Sequence, residues 1–282
     1  MRAAPLDVEE NVASSFRAIE NAAAREASVI ILPELFACGY VAERRSLETV
    51  AEDPRKPGQC LSAWQRAARE FRVTIIGGFA EMDGDRLFNS AVTINAAGDI
   101  VSNYRKLHLF GSERDCFEPG DRGLPIVRVD DVMIGVVVCY DLRFPEVLRI
   151  LALRRAELVA VPTAWVAGFD KSSPADGRIG QVDGAIVQAN LNQLYVACAD
   201  QVGSSGRNSF LGRSVAVSPF GEVLGGPASP SEEEIVLFAM DADEVERARH
   251  RGKGIDPLEN RRTDVYGDQL GYREPKTLES HS

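Results

Sequence analysis

The sequence predicts an α/β fold with mixed parallel and antiparallel sheets, and three observations predict it. Short continuous apolar runs of strand length alternate with amphipathic stretches of helix length. Two regions, 86–105 and 213–240, read as neighbouring strands with no helix between them, which calls for antiparallel or mixed portions. No linker-like Ser/Gly/Pro run lies between residues 30 and 225, which favours one domain.

The elements follow in order. Val12, Phe16, Ile19 and Ala23 recur three to four residues apart, so 8–26 is an amphipathic helix. Ser28-Val29-Ile30-Ile31-Leu32 is a buried strand ended by Pro33. Leu61, Trp64, Ala68 and Phe71 share one face of a helix over 59–71. Val73–Phe79 is a second buried strand, and 86–105 reads as two strands joined at Ala97-Gly98-Asp99. The strongest strand signal is 132–139, followed by a helix from Pro145 to Arg154 and a strand over 157–161. A helix over 175–192, a strand over 193–199 and strands near 213–218 and 233–240 complete the series. From Arg247 onward the chain is polar and charge-rich, suited to wrapping the body, contacting a partner subunit or remaining partly disordered.

Composition removes several classes of function. The 282 residues suit one or two domains, and 45% hydrophobic with 26% charged excludes a mainly disordered chain. Pro and Gly show no period, which excludes collagen-like repeats. Lys+Arg is 32 against 42 Asp+Glu, a formal net charge of −10 without a basic run, so nucleic acid is not an expected partner. Five cysteines with no CxxC spacing argue against a disulfide framework or zinc ribbon and fit a reducing compartment. No signal-peptide run and no stretch of membrane-spanning length occur, so a cytoplasmic protein without membrane partners is expected. The three histidines, His108, His250 and His281, show no HExxH or other paired spacing, and no GxSxG occurs. Neither metal chemistry nor a serine nucleophile elbow is expected.

Reactive groups in α/β folds gather at the carboxyl ends of strands. Three such ends carry chemistry: Glu34 after Pro33, Lys106 after the strand near 100–105, and Cys139 after the strand at 132–138. Each also has a plain structural reading. Cys139 suits an inert buried thiol, Glu34 a cap and Lys106 a solvated charge. Together they form a set. A thiol is mostly protonated at neutral pH; a carboxylate can take its proton and an ammonium favours the thiolate. The same ammonium can stabilise an oxyanion.

Leu32-Pro33-Glu34-Leu35-Phe36, Tyr104-Arg105-Lys106-Leu107-His108-Leu109 and Gly135-Val136-Val137-Val138-Cys139-Tyr140-Asp141-Leu142-Arg143-Phe144-Pro145-Glu146 resemble, in order, the three catalytic motifs of the nitrilase (carbon–nitrogen hydrolase) superfamily. The resemblance extends over most of residues 7–245. It implies a four-layer α-β-β-α sandwich with mixed sheets and a homodimer or higher homo-oligomer. It divides the chain into a hydrolase domain over 1–250 and a polar tail over 251–282, open to a subunit contact. It makes Glu34 the general base, Lys106 the oxyanion stabiliser and Cys139 the nucleophile. The family's second glutamate matches Glu113, with Glu118 as the rival, and the backbone N–H of Tyr140 is the expected second oxyanion donor. The implied reaction is hydrolysis of a small amide through a cysteine thioester, with no cofactor and no metal.

Tyr140-Asp141 after the cysteine is closer to the amidase branches than to nitrilases, which more often carry Trp-Glu there. Arg143 matches the arginine of N-carbamoyl-amino-acid hydrolases, which makes that activity the alternative. Arg143 suits a bidentate pair with a substrate carboxylate or, equally, a salt bridge with Asp141 or Glu146. Thr163 and Trp165 follow another strand and are expected to line the pocket, with a core role open for Trp165. His108 reads as a structural hydrogen-bonding group.

Two departures stand out. Family members usually open with a strand before the first helix, and only about six residues precede Asp7 here. Either the natural start lies upstream or the sheet is one strand short. Many members also carry Arg-Ala-x-Glu-Asn where this chain has Gln188-Ala189-Asn190-Leu191-Asn192. The missing strand keeps a catalytically silent scaffold among the alternatives, though Glu34, Lys106 and Cys139 are all present. Gly203-Ser204-Ser205-Gly206 resembles the serine loop of Ser-Ser-Lys amidases only faintly and reads as an ordinary loop.

Overall fold

A computed structural model describes residues 1–169 and 179–270. The first half holds α1 (Val8–Ala24), β1 (Val29–Ile31), α2 (Arg44–Glu48), α3 (Gln59–Phe71), β2 (Thr74–Asp83), β3 (Arg86–Ile94), β4 (Ile100–Arg105), β5 (Ile126–Val129) and β6 (Val132–Val136). The second holds α4 (Pro145–Leu153), β7 (Leu158–Pro162), α5 (Gly180–Asn192), β8 (Tyr195–Ala199), β9 (Ser204–Ser205), β10 (Asn208–Ser209), β11 (Val215–Val217), β12 (Val223–Gly225), α6 (Ala242–Arg249) and α7 (Thr263–Gln269).

Side-chain alternation along the strands sets the layers. Ile75, Phe79, Val92 and Ile94 pack with Ile19, Leu61 and Trp64 of α1 and α3. Ile76, Ala91 and Tyr104 point the other way, into a core shared with Val136, Val159 and Val161 of the second sheet. Leu148 and Leu151 of α4 and Val182 and Ala185 of α5 belong to that same core. The order is therefore helix pair, sheet, sheet, helix pair: a four-layer α-β-β-α sandwich.

The first sheet has the order β1-β2-β3-β4, with β1 parallel to β2 and the rest antiparallel. The second has the order β12-β11-β8-β7-β6-β5, with β6, β7 and β8 parallel and both edges antiparallel. Both sheets are mixed, as expected. Local chemistry fixes the ends. Asp7 caps α1 by accepting from the Glu10 N–H at 3.0 Å. Pro145 opens α4, where a missing N–H is harmless. The Trp64 indole donates to Ser15 Oγ at 3.0 Å and ties α3 to α1.

Several expectations are corrected. Residues 233–240 form no strand. Glu232, Glu233 and Glu234 lead the segment, Ile235 docks on the α1 side, and Phe238 and Met240 dock on the main core. A cavity of about 120 Å³ lies between this segment and β1, lined by Ala22, Ile31, Ala197, Val215 and Val236 among others. It leaves the segment without a ladder partner, and β11 pairs with β12 instead. Among the described residues the first sheet has four strands with β1 at its edge. Residues 203–206 are not a plain loop: β9 and β10 form a small hairpin. The strand expected over 132–139 ends at Val136, and Cys139 opens a short 3-10 helix. Residues 175–178 of the predicted α5 lie outside the described residues. Beyond 247, Leu258 joins the main core and Arg249 donates to the Ala156 carbonyl at 2.8 Å, so the part of this stretch up to Leu258 packs on the body. Among the described residues no helix is long and apolar enough to cross a membrane.

Candidate active site

β1 and β4 run in the same direction, because β1 is parallel to β2 and two antiparallel pairings separate β2 from β4. Their carboxyl ends therefore lie at one end of the first sheet. Glu34 leaves β1 there and Lys106 leaves β4. β6 of the facing sheet supplies Cys139 through Val137 and Val138.

Backbone conformation presents two of these groups. Leu35 has φ 49° and Cys139 has φ 47°, the left-handed region that non-glycine residues rarely adopt. Glu34 lies so close to β2 that only glycine fits beneath it. A Cβ on Gly78 would meet the Glu34 Cα at 2.6 Å and the Leu35 nitrogen at 2.5 Å.

Lys106 Nζ donates to Glu34 Oε1 at 2.6 Å and to Glu113 Oε1 at 2.8 Å. All three side chains are buried. Asn89 donates to Glu34 Oε1 at 2.8 Å, and the Tyr40 hydroxyl donates to Glu113 Oε1 at 2.7 Å. The Phe110 N–H donates to Glu113 Oε2 at 3.0 Å. Glu34 Oε2 is buried with no hydrogen-bond partner. It is the one carboxylate oxygen of the pair without a hydrogen bond, since both oxygens of Glu113 already accept. Glu118 is elsewhere, half-exposed and paired with Arg86 at 2.8 Å.

Burial sets the proton affinities. It pushes the Glu34 carboxyl above the usual range; Lys106 opposes that shift and Glu113 adds to it. Burial also pushes the Cys139 thiol well above its ordinary value, aided by Glu34 and opposed by Lys106 and a backbone hydrogen bond at Ala164. For Lys106 burial acts downward, but the Glu113 and Glu34 carboxylates outweigh it, and the ammonium holds its proton more tightly than usual. The lysine is a fixed cation between two carboxylates, and Glu34 is the more basic for its burial.

Asp141 joins the two sheets beside the thiol. It accepts from the Tyr104 hydroxyl at 2.6 Å and from the backbone N–H groups of His108 and Val138 at 3.0 and 3.1 Å. His108 Nδ1 lies 2.8 Å from Asp141, and its ring stacks on Phe144 at 3.6 Å between centroids. His108 is thus held in a structural contact. Tyr140 lies in the first turn of the 3-10 helix, where N–H groups have no acceptor within the helix. That leaves its N–H suited to an oxyanion beside the thiol.

A small cavity adjoins Cys139, lined by Phe110, Tyr140, Ala164, Trp165, Phe169 and Gln181 among others. Trp165 is buried and lines it. Thr163 does not: its hydroxyl turns to Asp200 at 2.9 Å, and its carbonyl accepts from the Glu34 N–H at 3.3 Å. Arg143 is exposed, outside the lining, with its guanidinium carbon 4.9 Å from the centre of the Phe169 ring.

Sequence reasoning missed Asn89, Tyr40 and Gln181, and read Asp141 only as a motif residue and a partner for Arg143. Asn89 had a signal, an amide within the apolar strand Leu87–Ile94, where asparagine is depleted. Tyr40 had none, because its partner Glu113 is distant in sequence, and nothing in the local pattern marked Gln181.

The family model of carbon–nitrogen hydrolases matches residues 1–250. A protein named nitrilase from Pyrococcus abyssi is 34% identical over 93% of this chain and 94% of its own length. An (R)-stereoselective amidase from Pseudomonas sp. is 32% identical over 93% and 89%. An N-carbamoylputrescine amidase from Oryza sativa subsp. japonica is 29% identical over 92% and 89%. The crystal structure of an amidase from Nesterenkonia sp. superposes with a TM-score of 0.79 at 27% identity, over 95% of this chain and 93% of that one. A mutant of the amidase from Nesterenkonia sp. AN1, which shows Michael addition of acrylamide at its active-site cysteine, gives 0.79 at 26% identity, over 95% and 96%.

Proposed function

The chain belongs to the carbon–nitrogen hydrolase family, as an amidase-type hydrolase of the nitrilase superfamily, and from that premise we propose that it cleaves a small carboxamide to carboxylate and ammonia through a thioester on Cys139. The observation that carries this reading is the buried Glu34–Lys106–Glu113 array beside the thiol, with Glu34 Oε2 left unpartnered.

Glu34 takes the Cys139 proton as the sulfur attacks the carbonyl carbon. The oxyanion meets the Lys106 ammonium and the Tyr140 N–H. As the C–N bond breaks, Glu34 returns the proton to the departing ammonia. Water, deprotonated by Glu34, then opens the thioester and releases the carboxylate and the thiol. Glu113 keeps Lys106 charged and in place throughout. The chain's own residues supply every proton transfer.

Ammonia release from carboxamides, nitriles and N-carbamoyl amino acids tests this, with wild type, Cys139→Ala and Glu34→Gln. Turnover of carboxamides that both substitutions abolish is the expected result. Activity that survives in Cys139→Ala overturns the mechanism. The likeness to an N-carbamoylputrescine amidase supports a second reading, cleavage of an N-carbamoyl group, which would release carbon dioxide with the ammonia.

Ile150 and Leu153 of α4 and Val187 and Leu191 of α5 are exposed on the outer helix layer. This apolar face supports assembly as a homo-oligomer.

A further inference from the structure

Gln181, in the first turn of α5, is buried, lines the cavity at Cys139, and has no hydrogen-bond partner for its Oε1. A buried polar atom without a partner is costly unless a ligand or water supplies one. The rest of the lining is apolar or aromatic, and none of its described side chains is charged. Phe110, Tyr140 and Phe169 line it together, with ring centroids 5.2 to 6.0 Å apart. The space is about 30 Å³, room for about two or three water-sized groups.

We propose that Gln181 is a specificity-determining residue, selecting small uncharged amides whose acyl group carries a hydrogen-bond donor, such as a hydroxyl next to the carbonyl. This rests on the amide-hydrolysis reading above and names its substrate class. The carboxamide nitrogen faces Glu34, whose free Oε2 accepts from it, so the Gln181 acceptor is left for the acyl side. A carboxylate on the acyl group is disfavoured, because it would be desolvated against aromatic rings, whose faces are negative. Arg143 stands outside the lining over Phe169 and does not enter this cavity.

Glycolamide and propionamide make the test, because they differ only in a hydroxyl replacing a methyl, with malonamate as the charged analogue. Wild-type kcat/KM is expected to favour glycolamide over propionamide by about tenfold, the worth of one hydrogen bond, and to be least for malonamate. Gln181→Met, close in volume and without an acceptor, removes the preference, and Gln181→Glu, which keeps one, retains it. Equal turnover of the two neutral amides by wild type overturns the inference, as does a preference that survives in Gln181→Met. Preferred turnover of malonamate overturns it too, and all three outcomes leave amide hydrolysis standing. Absence of Cys139-dependent ammonia release from every amide overturns the amide-hydrolysis reading itself.

Discussion

The Tyr104 hydroxyl donates to Asp141 at 2.6 Å, and through this bond the strand that delivers Lys106 is tied to the turn that delivers Cys139. The two groups come from different sheets, so their separation depends on how the sheets are clamped. Asp141 accepts two further N–H bonds at the same place, from His108 and Val138.

Asp141→Asn therefore turns part of an all-acceptor site into a donor facing donors. Loss of about 1–3 kcal/mol of stability is expected for the buried groups left unpaired, read by denaturant unfolding. Turnover falls as well, because Lys106 and the thiol lose their common brace. Tyr104→Phe, which removes one hydroxyl, has a smaller effect on both.

Glu34→Gln separates stability from function. The folded carboxyl holds its proton more tightly than the unfolded one, so the folded state binds more protons above the ordinary glutamate pKa of about 4.3. Its contribution to stability falls as pH rises from there toward its raised folded value. The glutamine variant lacks this penalty. It is expected to gain stability relative to wild type as pH rises above about 4.3, while amide turnover is lost. Thermal unfolding at a series of pH values measures the difference, and a gap that shrinks with pH contradicts it.

The Cys139 thiol is raised by burial and by Glu34, so the resting enzyme carries it protonated. Thiolate absorbance near about 240 nm, taken as the difference between wild type and Cys139→Ser, should stay absent through neutral pH and appear only above the ordinary thiol range of about 8.5. On the proposed mechanism the proton then leaves in concert with attack, and substrate amide, not pH, calls out the nucleophile.

The outer face of α4 and α5 gives a prediction about assembly. Val187→Asp combined with Leu191→Asp places two charges on the exposed apolar face. If copies of the chain associate there, light scattering will show a shift toward monomer. An unchanged mass would place the contact elsewhere.

Much of this was readable from local pattern. A continuous apolar run marks a buried strand, so Val29–Leu32 and Val132–Val138 announced their ends, and Glu34 and Cys139 are at those ends. The four layers came from the family resemblance of the three motifs and not from periodicity, which gave only alternating strands and helices. What stayed hidden was whatever depends on a distant neighbour. Tyr40 reaches Glu113 across 73 positions and Asn89 reaches Glu34 across 55, and no spacing encodes such a meeting. Residues 233–240 failed in the opposite sense. Their apolar side chains suit a strand, but a strand exists only beside another, and here a cavity occupies the neighbouring place.

The left-handed backbone at Cys139 has a consequence for how this protein can change. A side chain in that conformation carries strain of about 1–3 kcal/mol, which glycine would not feel. On the proposed mechanism, the position that carries the nucleophile is thus also one where the backbone alone would favour glycine. Under selection for endurance alone that preference would be free to act, and only a demand for the product would hold a cysteine there.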